Sequence, residues 1–412
     1  MQKTTTNILI LGAGPGGATT ALFLAKAGIA CTLVDKAVFP RDKICGDALS
    51  GKVVEVLRKI DPSWLDELHL NPEVFLGSYG VTFVAPNTKA LRVPFKKNTD
   101  TSQAPPGFIS KRLHFDNWLI EKVRQEPLID FVEGMECRDF EKTATGFLVK
   151  TKQQHVFDAS LVIAADGAYS AFAKQIGGLQ TEPAHNCFGL RAYYKNVAGM
   201  DAQNFIELHF LKEFLPGYFW IFPLPNGLVN VGVGMRADVL HEKKINLKKA
   251  FEQLIATNET MKNRFANAEL MEDVKLFGLP LGSKKRQLLG DNYLLIGDAA
   301  MLIDPFTGEG IGNAMMSGML AAETAVKAVA AKNYSSDFLS SYEQRVYLRL
   351  WSELKLSYRM QQLVNFPWLF NFVVNKASSN AALQDTISCM FEDLDMRSRL
   401  KDPRFYWKLM WN

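Results

Sequence analysis

The sequence predicts an α/β protein, α+β overall, in which a parallel-sheet domain is interleaved with an antiparallel-sheet domain and followed by a C-terminal helical region. Two short apolar runs near the N-terminus flank a glycine-rich turn and a helical stretch, which is the pattern of a βαβ unit. Residues 187–235 alternate in polarity as antiparallel strands do, with aromatic side chains throughout. After Ser335 the pattern is mostly helical. No flexible linker separates these parts, which favours interleaved domains over domains in series.

Composition excludes several classes of protein. The 412 residues carry 47 Lys and Arg against 43 Asp and Glu, and a net charge of +4 is too small to indicate nucleic-acid binding. Hydrophobic residues make up 48% and charged residues 22%, which excludes a disordered, collagen-like or coiled-coil chain. Five scattered cysteines and six histidines without metal-ligand spacing predict a reducing compartment, no disulfide framework and no metal site.

One uncharged stretch, residues 8–25, is long enough to cross a bilayer. Its glycine-rich centre makes a poor spanning helix, and a buried strand, a tight turn and a helix explain it better. We therefore expect a cytoplasmic protein, with peripheral contact at a membrane as the alternative.

The first candidate site is the motif Gly12-x-Gly14-x-x-Gly17, which follows a predicted strand and opens a predicted helix. Such glycines permit a tight turn, a close approach of the backbone to a pyrophosphate, and close packing of helix on strand. Asp35 ends the second strand at about the 20-residue spacing expected of a ribose-binding carboxylate. The motif predicts a Rossmann-like dinucleotide site and does not by itself distinguish FAD from NAD(P). Its predicted contacts are Gly12, Gly14, Pro15, Gly17, Asp35 and Lys36.

A second glycine-rich segment lies near the other end of the chain. A predicted strand delivers Gly297-Asp298, and Gly308-Glu309-Gly310-Ile311 precedes a long predicted helix. Asp298 can accept a sugar-alcohol hydroxyl, and the amides of 308–311 form a second helix start that favours an anion. Two such helix starts suit FAD, which has a pyrophosphate and a second negative region on its reduced ring. The predicted contacts here are Gly297, Asp298, Pro305, Gly308, Glu309, Gly310 and Ile311.

These two motifs together resemble the FAD-binding architecture of the para-hydroxybenzoate hydroxylase-like flavoproteins. Residues 165–170, with Asp166-Gly167, are similar to the Asp-Gly motif of that group. Arg112-x-x-Phe115-Asp116-x-x-Leu119 is similar to the segment whose arginine contacts the cofactor. The resemblance implies FAD as cofactor and adds Arg112, Asp166 and Gly167 as contacts. One departure is Ala173, where the hydroxylases usually carry an arginine, so tight NADPH handling at this motif is not expected.

Two further segments are similar to the geranylgeranyl reductases. Residues 39–50, Phe-Pro-Arg-Asp-Lys-Ile-Cys-Gly-Asp-Ala-Leu-Ser, resemble the Cys-Gly loop of that family. Tyr218-x-Trp220-x-Phe222-Pro223, followed by Gly232-x-Gly234, resembles its Tyr-x-Trp-x-Phe-Pro motif. The resemblance covers about residues 5–335. It implies an FAD-dependent enzyme that reduces carbon–carbon double bonds of polyprenyl chains. The contacts it adds at the cofactor are Arg41, Cys45 and Gly46.

The chemistry of an isolated alkene suits these residues. An alkene has no polar group to which a protein could bind, so an apolar slot must hold it against the flavin. The predicted lining of this slot is Tyr218, Trp220 and Phe222 with neighbouring Phe219. Reduced flavin N5 gives a hydride to one carbon, and the other carbon needs a proton, for which Cys45 is the candidate donor. Two interpretations of Cys45 stay open: a catalytic acid or gate, and a residue that only packs beside the flavin.

Two other functions stay open as well. Tryptophan halogenases share the flavin scaffold and carry a related Trp-x-Trp-x-Ile-Pro motif, where this sequence has Tyr218 and Phe222. A monooxygenase or halogenase would use NAD(P)H and O2 on an aromatic or polyketide-like substrate. The third interpretation is a non-catalytic flavoprotein that passes electrons to a partner, which a buried apolar pocket beside the flavin would argue against.

Partners follow from the same patterns. The sequence has no second Gly-x-Gly-x-x-Gly for a permanent NAD(P) domain, so NAD(P)H or a ferredoxin-like protein is the expected electron donor. A hydrophobic small molecule or lipid is the expected substrate. The aromatic stretches 366–374 and 405–411 are predicted as packed core, with a tunnel mouth or a membrane contact as the alternative.

Domain boundaries are predicted from the order of these segments. The expected FAD-binding domain takes residues 1–75, 105–180 and 275–335, the substrate domain takes 76–104 and 181–274, and the helical region takes 336–412.

Overall fold

The structure, a computed structural model, describes residues 2–95 and 103–377, without the side chains of Leu369 and Val373. The helices are Pro15–Lys26 (α1), Gly51–Ile60 (α2), Ser63–His69 (α3), Arg112–Arg124 (α4), Ala171–Gln175 (α5), Ala237–Glu242 (α6), Leu247–Thr257 (α7), Glu259–Arg264 (α8), Ile311–Ala331 (α9), Ser336–Leu363 (α10) and Pro367–Ala377 (α11).

The strands of the described residues fall into three sheets. In chain order they are Gln2–Leu11 (β1), Cys31–Val34 (β2), Ala48–Leu49 (β3), Leu76–Ser78 (β4), Gly80–Val84 (β5), Ala90–Pro94 (β6), Gly107–Ile109 (β7), Ile129–Val132 (β8), Cys137–Lys142 (β9), Phe147–Thr151 (β10), His155–Ala164 (β11), Asn186–Lys195 (β12), Ile206–His209 (β13), Tyr218–Pro223 (β14), Leu228–Arg236 (β15), Glu269–Leu270 (β16), Lys275–Pro280 (β17), Leu289–Gly290 (β18) and Tyr293–Leu295 (β19).

The first sheet has eight strands in the order β18-β19-β11-β1-β2-β8, with β10 paired to β11 and β9 paired to β10. β1 runs parallel to β2 and β11, and Leu11 lies opposite Val34 and Ala164. β8 and β19 extend the parallel part on either side. The parallel βαβ unit predicted at the N-terminus is therefore confirmed.

The parallel strands bring distant loops to one edge of this sheet. β1, β11 and β19 run in the same direction, so the loops that follow them lie together. α1 and α9, which follow two of these loops, pack at very short range. A Cβ on Gly318 of α9 would lie only 2.6 Å from the carbonyl oxygen of Gly16 in α1. This contact brings the starts of the two helices to the same place.

The second sheet has the path β16-β12-β15-β14-β13-β5-β6, and β17 also pairs with β12. Its pairs are antiparallel except β13 with β5. Successive side chains of β14 lie on opposite faces of the sheet. Phe219 and Ile221 are fully buried on one face, in the core that includes Phe251. Trp220 and Phe222 lie on the other face. The predicted combination of a parallel and an antiparallel sheet is confirmed.

A small three-stranded sheet, β3-β7-β4, adjoins the loop of residues 43–50. C-terminal helix α10 packs against α9, and the buried hydroxyl of Tyr342 in α10 donates to the carbonyl oxygen of Leu295 at 2.6 Å. Among the described residues no helix combines the length and apolarity needed to cross a membrane.

The structure describes four of the cysteines, whereas other predicted features lie outside the described residues or are not tested by the fold. Cys31, Cys45, Cys137 and Cys187 are free thiols. Cys389 and the aromatic stretch 405–411 lie outside the described ranges. The domain boundaries inferred from the sequence stay a prediction.

Candidate active site

A cavity at the carboxyl edge of the parallel sheet faces strand β14 of the second sheet. Its walls include the glycine turn after β1, the loop of residues 43–50, and the segment between β19 and α9. Apolar side chains such as Phe95, Phe108 and Leu208 line it as well. The predicted site residues that line the cavity are Gly14, Pro15, Cys45, Gly46, Arg112, Gly167, Tyr218, Trp220, Phe222, Gly297, Asp298, Gly308, Glu309, Gly310 and Ile311.

Gly12 and Gly17 shape the first turn without lining the cavity. Gly12 has a φ of +95°, and a Cβ on Gly17 would lie 1.9 Å from the carbonyl oxygen of Gly12. A Cβ on Gly14, by contrast, would meet no atom closer than Nη2 of Arg41 at 3.9 Å. This side of the turn is therefore open, and its backbone can approach a ligand closely. Such an opening at the start of α1 fits the diphosphate of FAD.

Asp35 holds the turn from the end of β2. Its carboxylate accepts the backbone N–H of Ala13 at 2.7 Å and that of Ala37 at 2.8 Å. Each carboxylate oxygen keeps a second lone pair, which is what Asp35 can offer to a ribose hydroxyl. The neighbouring Lys36 is exposed and does not line the cavity.

Arg41 and Arg112 share one carboxylate beside the cavity. Asp116 of α4 is 1% exposed and accepts Nε of Arg112 at 2.6 Å, Nη2 of Arg112 at 2.7 Å, and Nη1 of Arg41 at 2.5 Å. Although burial opposes it, the charges of Arg112 and Arg41 hold the pKa of Asp116 below its usual range. Two cations on one anion leave a net positive charge here, which favours a ligand as negative as FAD.

Asp166 supplies a buried acceptor next to the first turn. Its Oδ2 accepts the N–H of Ala171 at 3.1 Å, whereas its Oδ1 is buried without a hydrogen-bond partner in the described part of the chain. Burial raises the pKa of this carboxyl. Buried polar atoms are nearly always paired, so a ligand hydroxyl that donates to Oδ1 would complete the site. This atom therefore also fits FAD.

The second helix start offers fewer amides than the sequence indicates. The N–H of Gly308 donates to the carbonyl oxygen of Asp304 at 3.0 Å, because the loop turns back tightly with a φ of +73° at Gly308. The N–H of Glu309 likewise donates to the hydroxyl oxygen of Thr307 at 3.2 Å. The predicted anion site is therefore reduced to the amides of Gly310 and Ile311, two residues that line the cavity. Pro305 is buried outside the cavity lining, and its carbonyl oxygen accepts Nε2 of Gln361 at 2.6 Å.

Glu309 lies in a buried polar cluster that sequence reasoning missed. Its Oε1 accepts the N–H of Gly312 at 2.5 Å and the hydroxyl of Ser50 at 3.2 Å, while Oε2 has no partner within the described chain. Burial raises the pKa of Glu309. Lys52 of α2 lines the cavity next to it and pairs with Glu353 of α10 at 2.6 Å. In the sequence Lys52 is an ordinary polar residue of a predicted helix, so no motif identifies it as a site residue.

Asp298 has a partner that the motifs also did not indicate. Its Oδ2 lies 3.5 Å from Nζ of Lys43, and both residues line the cavity. The ammonium group of Lys43 also lies 5.5 Å from the ring centre of Phe277. Lys43 can therefore orient the Asp298 carboxylate toward a ligand hydroxyl without leaving that charge unpaired.

The face of β14 that carries Tyr218, Trp220 and Phe222 forms the apolar wall of the cavity. The hydroxyl of Tyr218 donates to the carbonyl oxygen of Thr307 at 2.5 Å, which ties this wall to the loop before α9. A Cβ on Gly232 would lie 2.1 Å from the Trp220 ring, so this glycine leaves room for the indole. The expectation that Phe219 shares the wall is wrong, because successive side chains of a strand point to opposite faces.

Cys45 also lines the cavity, in the loop whose Gly46 adjoins this wall. Burial raises the pKa of the Cys45 thiol above its usual value, whereas the positive charge of Arg112 acts in the opposite direction. The thiol is therefore protonated at neutral pH and can act as a proton donor.

Asp47, Tyr193 and Asn230 form a buried network behind Cys45 that sequence reasoning missed. Asp47 is fully buried, and its Oδ2 accepts the Tyr193 hydroxyl at 2.6 Å and Nδ2 of Asn230 at 2.8 Å. Asp47 belongs to the Cys-Gly loop and Asn230 to the spacer of the aromatic motif, but no pattern in either segment marks them as partners. Among the described residues no cluster of His, Cys, Asp and Glu has the geometry to hold a metal ion.

Gly14→Ala should weaken FAD binding by about tenfold or more, with little effect on the stability of the FAD-free protein. Its Cβ enters the open side of the turn but meets no protein atom closer than 3.9 Å. Fluorescence titration with FAD and thermal unfolding measure the two quantities. Gly17→Ala is the contrasting variant, because its Cβ overlaps the Gly12 carbonyl and should prevent folding. Unchanged FAD affinity in Gly14→Ala would contradict this account of the turn.

Asp47→Asn should change the pH dependence of stability between pH 4 and 7. Burial raises the pKa of Asp47 from 3.8 to about 6, so the folded state favours the protonated acid. The wild type therefore loses stability as the pH rises through this window, by about 3 kcal/mol in total, and the asparagine variant lacks this loss. Urea unfolding at several pH values should show the free-energy difference moving in favour of the variant. A difference that does not change with pH would contradict the prediction.

Comparison with known proteins gives the family. Residues 5–355 match the FAD binding domain family. The chain is 30% identical to the digeranylgeranylglycerophospholipid reductase of Methanococcus vannielii, over 95% of this chain and 92% of that protein. It is 29% identical to the menaquinone reductase of Mycolicibacterium smegmatis, over 78% of this chain and 76% of that protein.

Solved structures share the fold. A geranylgeranyl bacteriochlorophyll reductase-like protein from Thermoplasma acidophilum superposes with a TM-score of 0.77 at 24% identity, covering 92% of each chain. A flavin-dependent brominase superposes with a TM-score of 0.76 at 20% identity, covering 95% of this chain and 94% of that one. With the sequence matches, these findings place the chain in the FAD binding domain family, among the FAD-dependent oxidoreductases of the geranylgeranyl reductase family.

Proposed function

We propose that this FAD-dependent oxidoreductase reduces carbon–carbon double bonds of a polyprenyl, geranylgeranyl-type or similar hydrophobic substrate. The observation that carries the proposal is the arrangement of the cavity, which is lined together by the apolar face of β14, by Cys45 and by the two glycine-rich turns. The relatives named for a digeranylgeranylglycerophospholipid substrate support the same class of substrate. An apolar cavity beside the cofactor counts against a flavoprotein that only passes electrons to a partner.

Most of the residues that would hold FAD line the polar half of the cavity, and Asp35 contacts the backbone of the first turn beside it. We propose that the open turn at Gly14 takes the diphosphate, that Asp35 and Asp298 accept ribose and ribityl hydroxyls, and that the amides of Gly310 and Ile311 face the pyrimidine edge of the ring. FAD, when bound and reduced, supplies a hydride.

The apolar half of the cavity would hold the alkene. Trp220 and Phe222 offer flat faces without a charge, and Phe222 lies close to Gly46, where a Cβ would be 3.1 Å from its ring. Glycine at position 46 thus lets the ring wall and the Cys45 loop come together. Such a slot positions an alkene by contact and keeps water out, which is what a substrate without polar groups requires.

Cys45 would supply the proton that completes the reduction. As a hydride adds to one alkene carbon, the S–H bond of Cys45 breaks and its proton forms the new C–H bond at the other carbon. The thiolate that results is stabilised by the nearby positive charge of Arg112, and it takes up a proton from solvent before the next turnover.

Contact with a membrane would give a lipid substrate a path to the cavity. Phe366, Trp368 and Phe372 on and next to α11 are 55%, 70% and 55% exposed, and aromatic residues are favoured at the membrane interface. We propose that this surface rests on the lipid headgroup region.

We also propose NAD(P)H or a ferredoxin-like protein as the electron donor, and the domain boundaries given above.

The mass of the product tests the proposed function. FAD-loaded protein, reduced anaerobically with dithionite, should add about two mass units per double bond to a geranylgeranyl lipid presented in phospholipid vesicles. Pelleting the vesicles tests membrane contact, since Trp368→Ala should lower the bound fraction. No mass gain, together with rapid O2 consumption when NAD(P)H and air are supplied, would instead indicate a monooxygenase or halogenase.

Cys45→Ala should slow product formation by about 10²-fold or more in a single turnover, because the proton donor is lost, and FAD content should not change. Cys137→Ala is the matched control: Cys137 is another partly buried free thiol, whose pKa burial raises to about 12, and it does not line the cavity. Product formation within about threefold of wild type in both variants would mean that Cys45 only packs in the site.

A further inference from the structure

Asn230 of β15 joins three parts of the site through one side chain. It is fully buried. Its Oδ1 accepts Nε1–H of Trp220 at 2.8 Å, and its Nδ2 donates to the carbonyl oxygen of Cys45 and to Oδ2 of Asp47, both at 2.8 Å. One amide therefore links the aromatic wall on β14 to the loop that carries the thiol.

The chemistry of the partners fixes the orientation of this amide. An indole N–H only donates hydrogen bonds, so it must face Oδ1 of Asn230. The Cys45 carbonyl and the Asp47 carboxylate only accept, so they must face Nδ2. A carboxylate at position 230 would place a second acceptor against these two oxygens. The asparagine amide supplies an acceptor on one side and two donors on the other, as the three partners require.

Asp47, at the other end of this network, has further hydrogen-bond donors. Oδ2 of Asp47 accepts the Tyr193 hydroxyl as well as Nδ2 of Asn230, and Oδ1 of Asp47 lies 3.3 Å from the N–H of Arg112. Asp47 follows Cys45 by two residues in the same loop. A shift of Asn230 would therefore move both the carbonyl group of Cys45 and the carboxylate of Asp47.

We propose that Asn230 is a positioning residue for the reduction, which sets the distance between the Cys45 thiol and the Trp220 wall. The inference rests on the proposed function for the role of Cys45. It goes further in proposing that a residue of β15 sets this distance, so that the thiol and the aromatic wall can both contact the same substrate chain. Each of its three partners lines the cavity, so the bonds of Asn230 act on the site directly.

Asn230→Asp is the test variant, and Asn292→Asp is its matched control. Asn292 likewise donates Nδ2 to two oxygens, the carbonyl oxygens of Ser160 at 2.7 Å and Thr145 at 3.2 Å, and it does not line the cavity. The acceptors of Asn230 are one carbonyl and one carboxylate oxygen. Both substitutions replace the same pair of donors by a carboxylate oxygen. They differ in whether the disturbed acceptors belong to the site.

We expect kcat of Asn230→Asp to fall by about 10²-fold with KM changed by less than about threefold, as for a misplaced reacting group. In the same FAD-loaded protein, alkylation of Cys45 by iodoacetamide should be about tenfold faster, because two hydrogen bonds that hold its loop are lost. Asn292→Asp should match the wild type in both. The alkylation rate needs no substrate, so it tests the positioning role even if the wild type yields no reduced lipid.

Asn230→Ser gives a second variant without an added charge. If either variant folds with normal FAD content and its Cys45 alkylation rate equals that of the wild type, the proposal is overturned. Loss of FAD or of folding in both variants would also overturn it, because Asn230 would then serve the fold and not the spacing of the site. A wild type without product, by contrast, would refute only the proposed substrate.

Discussion

The buried carboxylate of Asp47 joins the two halves of this site, and the position of Cys45 depends on it. Asp47 lies in the loop that follows the N-terminal βαβ unit, yet its hydrogen-bond donors Tyr193 and Asn230 belong to the antiparallel sheet. The loop cannot leave the sheet without breaking both of these hydrogen bonds, so they hold the loop in place. The thiol of Cys45 and the ring of Trp220 are held in the lining of one cavity as a consequence.

Charge is arranged differently on the two sides of the cavity. The cofactor side carries cations that are each paired with a carboxylate, as in Arg112 with Asp116 and Lys43 with Asp298. Paired cations remain in place without a ligand and still leave hydrogen-bonding capacity for one. The opposite wall is formed by the uncharged face of β14. A ligand with a polar dinucleotide part and a substrate without polar groups are thus accommodated side by side.

Where sequence reasoning succeeded, the information was local. The glycines at 12, 14 and 17 are determined by a turn that spans a few residues, and the alternation on β14 follows from the pleat of a strand. The expectations that needed revision concern groups whose contacts depend on residues distant in sequence or on the exact turn of a loop. The N–H of Gly308 is taken by the carbonyl of Asp304, and Phe219 follows the pleat into the opposite core.

The sequence alone determined the fold class, because backbone turns and strand periodicity are short-range properties of the chain. It indicated the cofactor and the family through the resemblance of its spaced motifs to known flavoproteins. Only the tertiary structure decided which residues support Cys45. Asn230 lies 185 positions from Cys45 along the chain, and the bond between them exists only because the antiparallel sheet packs against the loop. The pKa of the thiol is likewise set by burial and by Arg112, which is brought close by folding. Long-range contacts of this kind leave no periodic trace in a single sequence, since each partner is an ordinary polar residue in its own segment.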